Sequence, residues 1–433
     1  MAHEHEVYLE CDDKGKVMRV LASVYACSPY DGSERAVGWN WIRQLDNFHQ
    51  ITALTSHVYQ KDIEDYLSKH PGELKNTTFV YVAVPHTISF WHVGYRGERL
   101  YYMMWQKQAL KVARELIKTE KFDLVHHITY VTCVLPTYMY RLGLPFLYGP
   151  VSGGENTPAV IGYPMSTKDK VVETIRSASQ IFFKATPNFA KTMKRATLIV
   201  VTTDETKALI PARYQEKVRT FQSIGLNSDM FYPEPAPKGN TVPQFLMAGR
   251  MLYWKGYELG IAAFVKALER GCHAELTILG DTENNPGYET HREKLKAMCG
   301  NYLGKEIKFV SRVEHAKMKQ FYDGFDVLLN CSLRDSGCFV VMEAMSRALP
   351  IIVVNTGGPK VNTTPDSALK IEPDVLEKMI EKTTEAIITL AQDKEKREKM
   401  GRAGRTYGLE TFTLEARTEQ MNKFYREVLE LYK

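Results

Sequence analysis

The sequence predicts an α/β protein built of two doubly wound Rossmann-like domains facing across a cleft. Three observations carry this expectation. Apolar strand-like runs alternate with helix-period segments in both halves, a proline-rich segment separates the halves, and every candidate functional motif directly follows a strand. Short strands joined by helices favour a parallel sheet covered on both faces, because a parallel crossover needs about a helix of chain. In such sheets ligands bind beyond the carboxyl ends of the strands, at the point where strand order reverses.

In the first half the pattern predicts strands over 18–25, 51–56, 79–84, 122–129, 146–149, 198–203 and 219–224, with helices over 33–45 and 99–119. In the second half strands are expected over 245–249, 275–280, 307–311, 326–330 and 351–355, alternating with helices over 257–270, 289–299, 315–324 and 339–348. The segment Tyr232-Pro-Glu-Pro-Ala-Pro-Lys-Gly-Asn240 reads as a stiff linker. The expected division is a first Rossmann-like domain over 1–232, a linker over 233–241 and a second domain over 242–410. A C-terminal helix over 411–433 is expected to pack back on the first domain.

Composition narrows the function class. The 433 residues are 44% hydrophobic and 25% charged, with a formal net charge of +5, which fits a globular chain and gives no argument for nucleic acid. The 7 cysteines are scattered without a Cys-x-x-Cys pair, as reduced thiols in a cytoplasm would be, and favour neither a disulfide framework nor a zinc site. No apolar run is long enough to span a bilayer, and Met1–Tyr8 has charges where a signal peptide has its apolar core. His3 and His5 read as part of a solvated tail. No G-x-G-x-x-G follows a strand, which weakens a dehydrogenase reading.

The strongest chemical signal is Asp335-Ser-Gly-Cys-Phe-Val-Val-Met-Glu343, with Gly249-Arg250 and Lys255-Gly256 upstream. A nucleotide diphosphate needs its charge neutralised, and there is no Asp-x-Asp pair to hold a metal for that purpose. Arg250, Lys255 and backbone N–H groups at a helix start near 337–340 supply an alternative anion site. Gly337 lets the backbone come close, and Phe339 begins the helical period. Glu343, one to two turns into that helix, can accept from the vicinal hydroxyls of a ribose, while Asp335 in the loop can reach the sugar. Taken singly, the cations could be a solvated pair and Glu343 a helix-surface acid near a positive dipole end.

These segments resemble the GT-B glycosyltransferases of the large retaining family 4, whose hallmark is Glu-x7-Glu followed by Ala-Met. Further matches are Leu276–Gly280-Asp281, Tyr322-Asp-Gly-Phe-Asp326, Gly357-Gly358-Pro359 and Ser223–Phe231. The resemblance implies that Arg250 and Lys255 bind diphosphate, Glu343 binds ribose and Asp335, in place of a glutamate, contacts the donor sugar. Gly249, Arg312, Gly337, Cys338 and Phe339 complete the implied donor site.

On the other side, Ala26–Glu34 resembles the family's glycine-rich first loop, so Gly32 and Ser33 are expected to approach the donor phosphate, a capped helix entry being the alternative. His126 and His127 end a strand where family members place a histidine beside the transferred sugar. Alternation puts the two on opposite faces, so one at most enters the cleft. Tyr148–Glu155 resembles an acceptor-side turn of bacterial members. The stretch 168–195 is basic and amphipathic, as an ordinary domain helix or a helix lying on an anionic membrane would be.

The resulting expectation is a retaining, metal-independent glycosyltransferase of bacterial surface-polysaccharide type, without a cofactor. Its donor would be a nucleotide-diphosphate sugar (a UDP-sugar favoured, a GDP-sugar the alternative) and its acceptor a glycan or lipid-linked glycan. Its place would be the cytoplasm, at the inner face of the membrane. Rival readings on the same fold are a non-catalytic subunit, a sugar-nucleotide epimerase and a phosphorylase.

Overall fold

A computed structural model describes residues 17–32, 34–89, 91, 97–135, 137–158, 160, 162–280, 286–311, 313–314 and 317–432, without the side chains of 286–289. The chain divides into two compact units. The first takes the described residues through Gly154, then Ala178–Ser223 and the chain from Arg417; the second takes Glu155–Ser177 and Ile224–Ala416.

The first unit holds strands β1 (Arg19–Val24), β2 (Gln50–Ser56), β3 (Thr77–Val82), β4 (Leu124–Thr129), β5 (Phe146–Val151), β6 (Leu198–Val201) and β7 (Val218–Thr220). They form one sheet in the order β3-β2-β1-β4-β5-β6-β7 with every pairing parallel. The second unit holds β8 (Gln244–Ala248), β9 (Glu275–Leu279), β10 (Ile307–Val310), β11 (Val327–Asn330), β12 (Ile351–Val354) and β13 (Ala368–Ile371), in the parallel order β10-β9-β8-β11-β12-β13. The interior strands β6 (LIVV) and β12 (IIVV) are apolar at every position, as strands covered by helices on both faces are.

Strand order reverses between β1 and β4 in one sheet and between β8 and β11 in the other. The loops after β1 and β4, and after β8 and β11, therefore leave neighbouring strands from the same sheet edge. The loops after β1, β8 and β11 carry Gly32, Gly249–Lys255 and Asp335, and His126–Thr129 form the carboxyl end of β4 itself. Topology converts motifs far apart in sequence into neighbours.

Three local features differ from the sequence expectation. The stretch 168–195 is two helices, Thr167–Lys184 and Pro187–Arg195, because Pro187 has no N–H to continue the first and instead opens the second, with the Thr186 hydroxyl accepting from the Phe189 N–H at 3.3 Å. The strand β13 and the helices Leu376–Gln392 and Lys394–Phe412 complete the second unit where no element had been assigned. The proline-rich segment groups with the second unit and is bonded along it: the Lys238 ammonium donates to Asp323 O at 2.9 Å and the Asn240 amide to Asp326 Oδ2 at 2.9 Å.

Arg347 explains how that segment is held. Only 2% exposed, its guanidinium grips the Asp323 carboxylate at 2.8 and 3.0 Å and donates to Met230 O at 3.1 Å and Pro233 O at 2.9 Å. Sequence alone does not reveal this, since Arg347 lies in an apolar helix end. Arg347→Ala leaves two carbonyls without this donor and the part-exposed Asp323 carboxylate with Lys238 at 3.9 Å, and should cost about 1–3 kcal/mol in equilibrium denaturation. A loss below about 1 kcal/mol would show that water replaces the guanidinium.

Candidate functional site

The second unit assembles its site from the carboxyl ends of β8, β11 and β12. After β8 the chain turns at Gly249 (φ 136), whose carbonyl accepts from the Tyr257 hydroxyl at 2.7 Å. Arg250 is exposed, and a turn over Tyr253–Lys255 leads to Gly256. Gly256 adopts φ 71, and a Cβ there would sit 1.9 Å from the Cys331 carbonyl. The loops after β8 and β11 thus touch backbone to backbone, which only glycine permits.

That contact brings Lys255 onto Asp335. Their ammonium and carboxylate form a hydrogen-bonded ion pair with side-chain exposures of 19% and 16%. Burial acts to lower the Lys255 ammonium, but the charge and hydrogen bond of the Asp335 carboxylate outweigh it and hold the group above its ordinary value. The other Asp335 oxygen accepts from the Gly337 and Cys338 N–H groups at 3.3 and 3.2 Å. Its backbone carbonyl accepts from Gly358 N at 2.7 Å, and a Cβ on Gly357 (φ 53) would lie 2.3 Å from that carbonyl. Asp335 is thus both counter-ion and loop cap.

Cys338 takes a left-handed conformation (φ 62, ψ 64) at the start of the helix Phe339–Ser346, with its sulfur accepting from the Asn330 amide at 3.3 Å. Burial first, then the Asp335 charge, pushes its thiol far up, so it stays a neutral lining group. Phe339 and Glu343, four residues apart, share one partly buried helix face. Glu343 Oε2 accepts at 2.8 Å from the hydroxyl of Tyr322, itself fully buried. Burial, then Glu343, raises that phenol well above its ordinary value, so it remains a donor. Ser33, Arg312 and Asp281 lie outside the described residues.

Sequence reasoning missed the residues that fix these positions. Tyr322 and Tyr257 orient Glu343 and Gly249, and Tyr322 stood in a recognised motif with no role attached. The Arg334 guanidinium stacks on the Trp254 ring at 4.4 Å and pairs with Glu173, which also accepts from the Tyr253 hydroxyl. Behind them the single Tyr163 O–H is shared between Tyr253 O at 2.8 Å and buried Glu258 at 3.0 Å. No sequence signal marks these pairings, because Tyr163 and Glu173 lie far upstream.

In the first unit His126 and His127 are fully buried. His126 Nε2 is 2.7 Å from the Gly149 carbonyl and so carries the proton, leaving Nδ1 to accept from the Tyr425 hydroxyl at 2.8 Å. His127 pairs with Tyr130 O at 3.3 Å and Ser23 Oγ at 3.4 Å and stacks on Tyr148. Burial lowers the first imidazole to about 4; burial, then His126, lowers the second to about 3. Both are neutral near pH 7. Gly32 sits where a Cβ would meet nothing within 4 Å, so the first loop is open at that point. Beside it, Glu34 accepts from Val131 N at 2.5 Å, and burial raises its carboxyl to about 7.

Residues 231–407 match the family described as Glycosyl transferases group 1. The matched span lies within the second unit. The chain is 28% identical over 146 residues to an uncharacterized glycosyltransferase of Methanocaldococcus jannaschii, covering 34% of this chain and 32% of that protein. It is 24% identical over 210 residues to a GDP-mannose-dependent monoacylated alpha-(1-6)-phosphatidylinositol monomannoside mannosyltransferase of Corynebacterium glutamicum, covering 47% of this chain and 49% of that one. Matches to these two relatives therefore span half of their length or less. Among solved structures, Anabaena HepE in complex with UDP-glucose matches with a TM-score of 0.58 at 12% identity, over 94% of this chain and 99% of that chain. Two parallel-sheet Rossmann-like domains of GT-B type are thus the fold of this protein.

Glu34 gives a pH signature. Its folded carboxyl keeps a proton that the unfolded chain loses near its ordinary value, so the folded state binds more protons between about pH 4.5 and 7, and stability falls as pH rises through that window. Glu34→Gln keeps the acceptor for Val131 and should raise the melting temperature relative to the parent near pH 8, with the gap closing near about pH 5. A gap independent of pH would mean that Glu34 is ionised throughout.

Proposed function

We propose that this protein is a retaining, metal-independent glycosyltransferase that moves a sugar from a nucleotide-diphosphate donor to a glycan or lipid-linked acceptor. The observation that carries this reading is the convergence of Lys255, Asp335, the Phe339–Ser346 helix start and Glu343 in a group 1 glycosyl transferase domain. Arg250 and Lys255 would take the diphosphate, N–H groups from Gly337 onward would support it, and Glu343 would take the ribose. Tyr322 binds one Glu343 oxygen and so fixes the direction in which the carboxylate accepts. Asp335, released from Lys255 when the diphosphate arrives, would turn to the sugar. His126 and His127, neutral and with ring N–H groups held by carbonyls, would act by positioning the β4 and β5 ends. Retention would follow from same-face attack, with the departing phosphate taking the acceptor proton.

A UDP-sugar is the donor we favour, in line with the UDP-glucose bound by Anabaena HepE; the GDP-mannose named for the Corynebacterium relative keeps the guanine nucleotide as alternative. That relative also acts on a phosphatidylinositol mannoside, which agrees with a lipid-linked acceptor at the inner membrane face.

Arg250→Ala should lower turnover about 30–1000-fold, the loss of one charge-assisted contact of about 2–4 kcal/mol, and chelator should leave the parent active. Glu343→Gln still accepts from Tyr322 and should leave the melting temperature unchanged while weakening nucleotide binding by about 1–3 kcal/mol. Full turnover in Arg250→Ala, or an Mg²⁺-reversible loss with chelator, would refute the metal-free donor site.

Asp335→Asn separates capping from charge. The amide oxygen can still accept from the Gly337 and Cys338 N–H groups, but Lys255 loses its counter-ion. Nucleotide diphosphate should bind as tightly or more tightly, while kcat falls about 10–100-fold for want of a charged sugar contact. A parallel loss of affinity and kcat across donors would make Asp335 a loop cap alone.

A further inference from the structure

The helix Thr167–Lys184 is turned inside out. A helix on a domain surface ordinarily faces its apolar stripe inward and its polar residues outward. Here Val171, Ile175, Ala178 and Phe182, spaced at four, three and four residues, lie on the solvent side, with Val171, Ile175 and Phe182 exposed by 51, 63 and 67%. Val172 at 45% and Ile181 at 72% widen the stripe. The polar residues point inward. Glu173 pairs with Arg334, Arg176 donates to Glu155 O at 2.9 Å, and Gln180 donates to Gly153 O at 2.6 Å and is 5% exposed.

Charge is sorted the same way. Lys168, Lys170 and Lys184 on this helix, and Lys191, Lys194 and Arg195 on the next, are exposed. The two acids in the stretch, Asp169 and Glu173, are partly buried and occupied by the Ser166 hydroxyl and Arg334. Val171, Ile175 and Phe182 face outward, and neither of these two acids pairs with one of the exposed cations among the described residues.

We propose that this face docks on an anionic lipid bilayer, with Val171, Ile175, Ile181 and Phe182 entering the headgroup–acyl boundary and the lysines meeting lipid phosphates. An apolar stripe among exposed cations fits that surface, where burial and electrostatic attraction add. A second copy of the chain would bring six cations against six. The surface is argued from the helix alone; the reading above rests with it only in naming a lipid-linked acceptor as what the membrane presents.

The test is co-sedimentation of the full chain with vesicles of neutral phosphatidylcholine and with vesicles in which roughly a third of the lipid is phosphatidylglycerol. The parent should bind the anionic vesicles at low salt, lose most of that binding at high salt, and bind neutral vesicles weakly. Ile175→Ser with Phe182→Ser should weaken anionic-vesicle binding at least about tenfold. Lys168→Gln with Lys170→Gln should weaken it by about fivefold per cation removed. All these positions are exposed, and circular dichroism confirms folding. Glu343→Gln should bind vesicles like the parent while losing nucleotide affinity, which keeps failure of the donor site distinct from failure of the membrane face. Absence of binding to anionic vesicles, equal binding by the serine pair, or a concentration-dependent dimer that the serine pair dissociates would each overturn the proposal.

Discussion

The second unit depends on the close approach of two loops at its topological switch point. Gly256 presses against the Cys331 carbonyl, and that approach seats the Lys255 ammonium on the Asp335 carboxylate. A partly buried ion pair contributes little net stability, because desolvation offsets much of the attraction. Its consequence is positional. With one oxygen on Lys255 and the other on two backbone N–H groups, Asp335 fixes the entry to the Phe339–Ser346 helix and so the bearing of Glu343.

The first unit solves a different problem. Polar side chains at the end of a buried central strand must find partners inside the protein. His126 and His127 do so through backbone carbonyls, a serine and the Tyr425 hydroxyl from the C-terminal helix Leu414–Leu431. The cost of charging either ring in that setting keeps both neutral, which suits them to hold strand ends rather than to shuttle protons. The open first loop at Gly32 contrasts with this enclosure. Gly38, in the helix Glu34–Leu45 that follows, is by comparison tightly packed, since a Cβ there would meet the Ala26 carbonyl at 2.0 Å.

Much of the fold was legible because buried parallel strands are nearly continuous apolar runs, and twelve of the thirteen among the described residues coincide with a segment read as a strand. β13 escaped because Ala-Leu-Lys-Ile is short and mixed at a sheet edge. The basic stretch read as one helix because its periodicity survives the break at Pro187. The grouping of Asp335, Gly337 and Glu343 was legible because they lie on one short segment. Tyr322, Arg334 and Glu173 were not, because their roles come from contacts with residues 21 and 161 positions away.

By itself the sequence determined the two parallel-sheet units, the positions of the cations and carboxylates after the strands, and the basic amphipathic stretch. These follow from local periodicity and from chemistry confined to short segments. Tertiary structure alone decided that Asp335 is spent on Lys255, that both histidines are enclosed, that Arg347 fastens the proline-rich segment, and which side of Thr167–Lys184 faces water. Each of those depends on strand order and on burial, and neither is encoded within a window of a few residues: they are set when loops from β8 and β11, eighty residues apart, are forced together by pairing in one sheet.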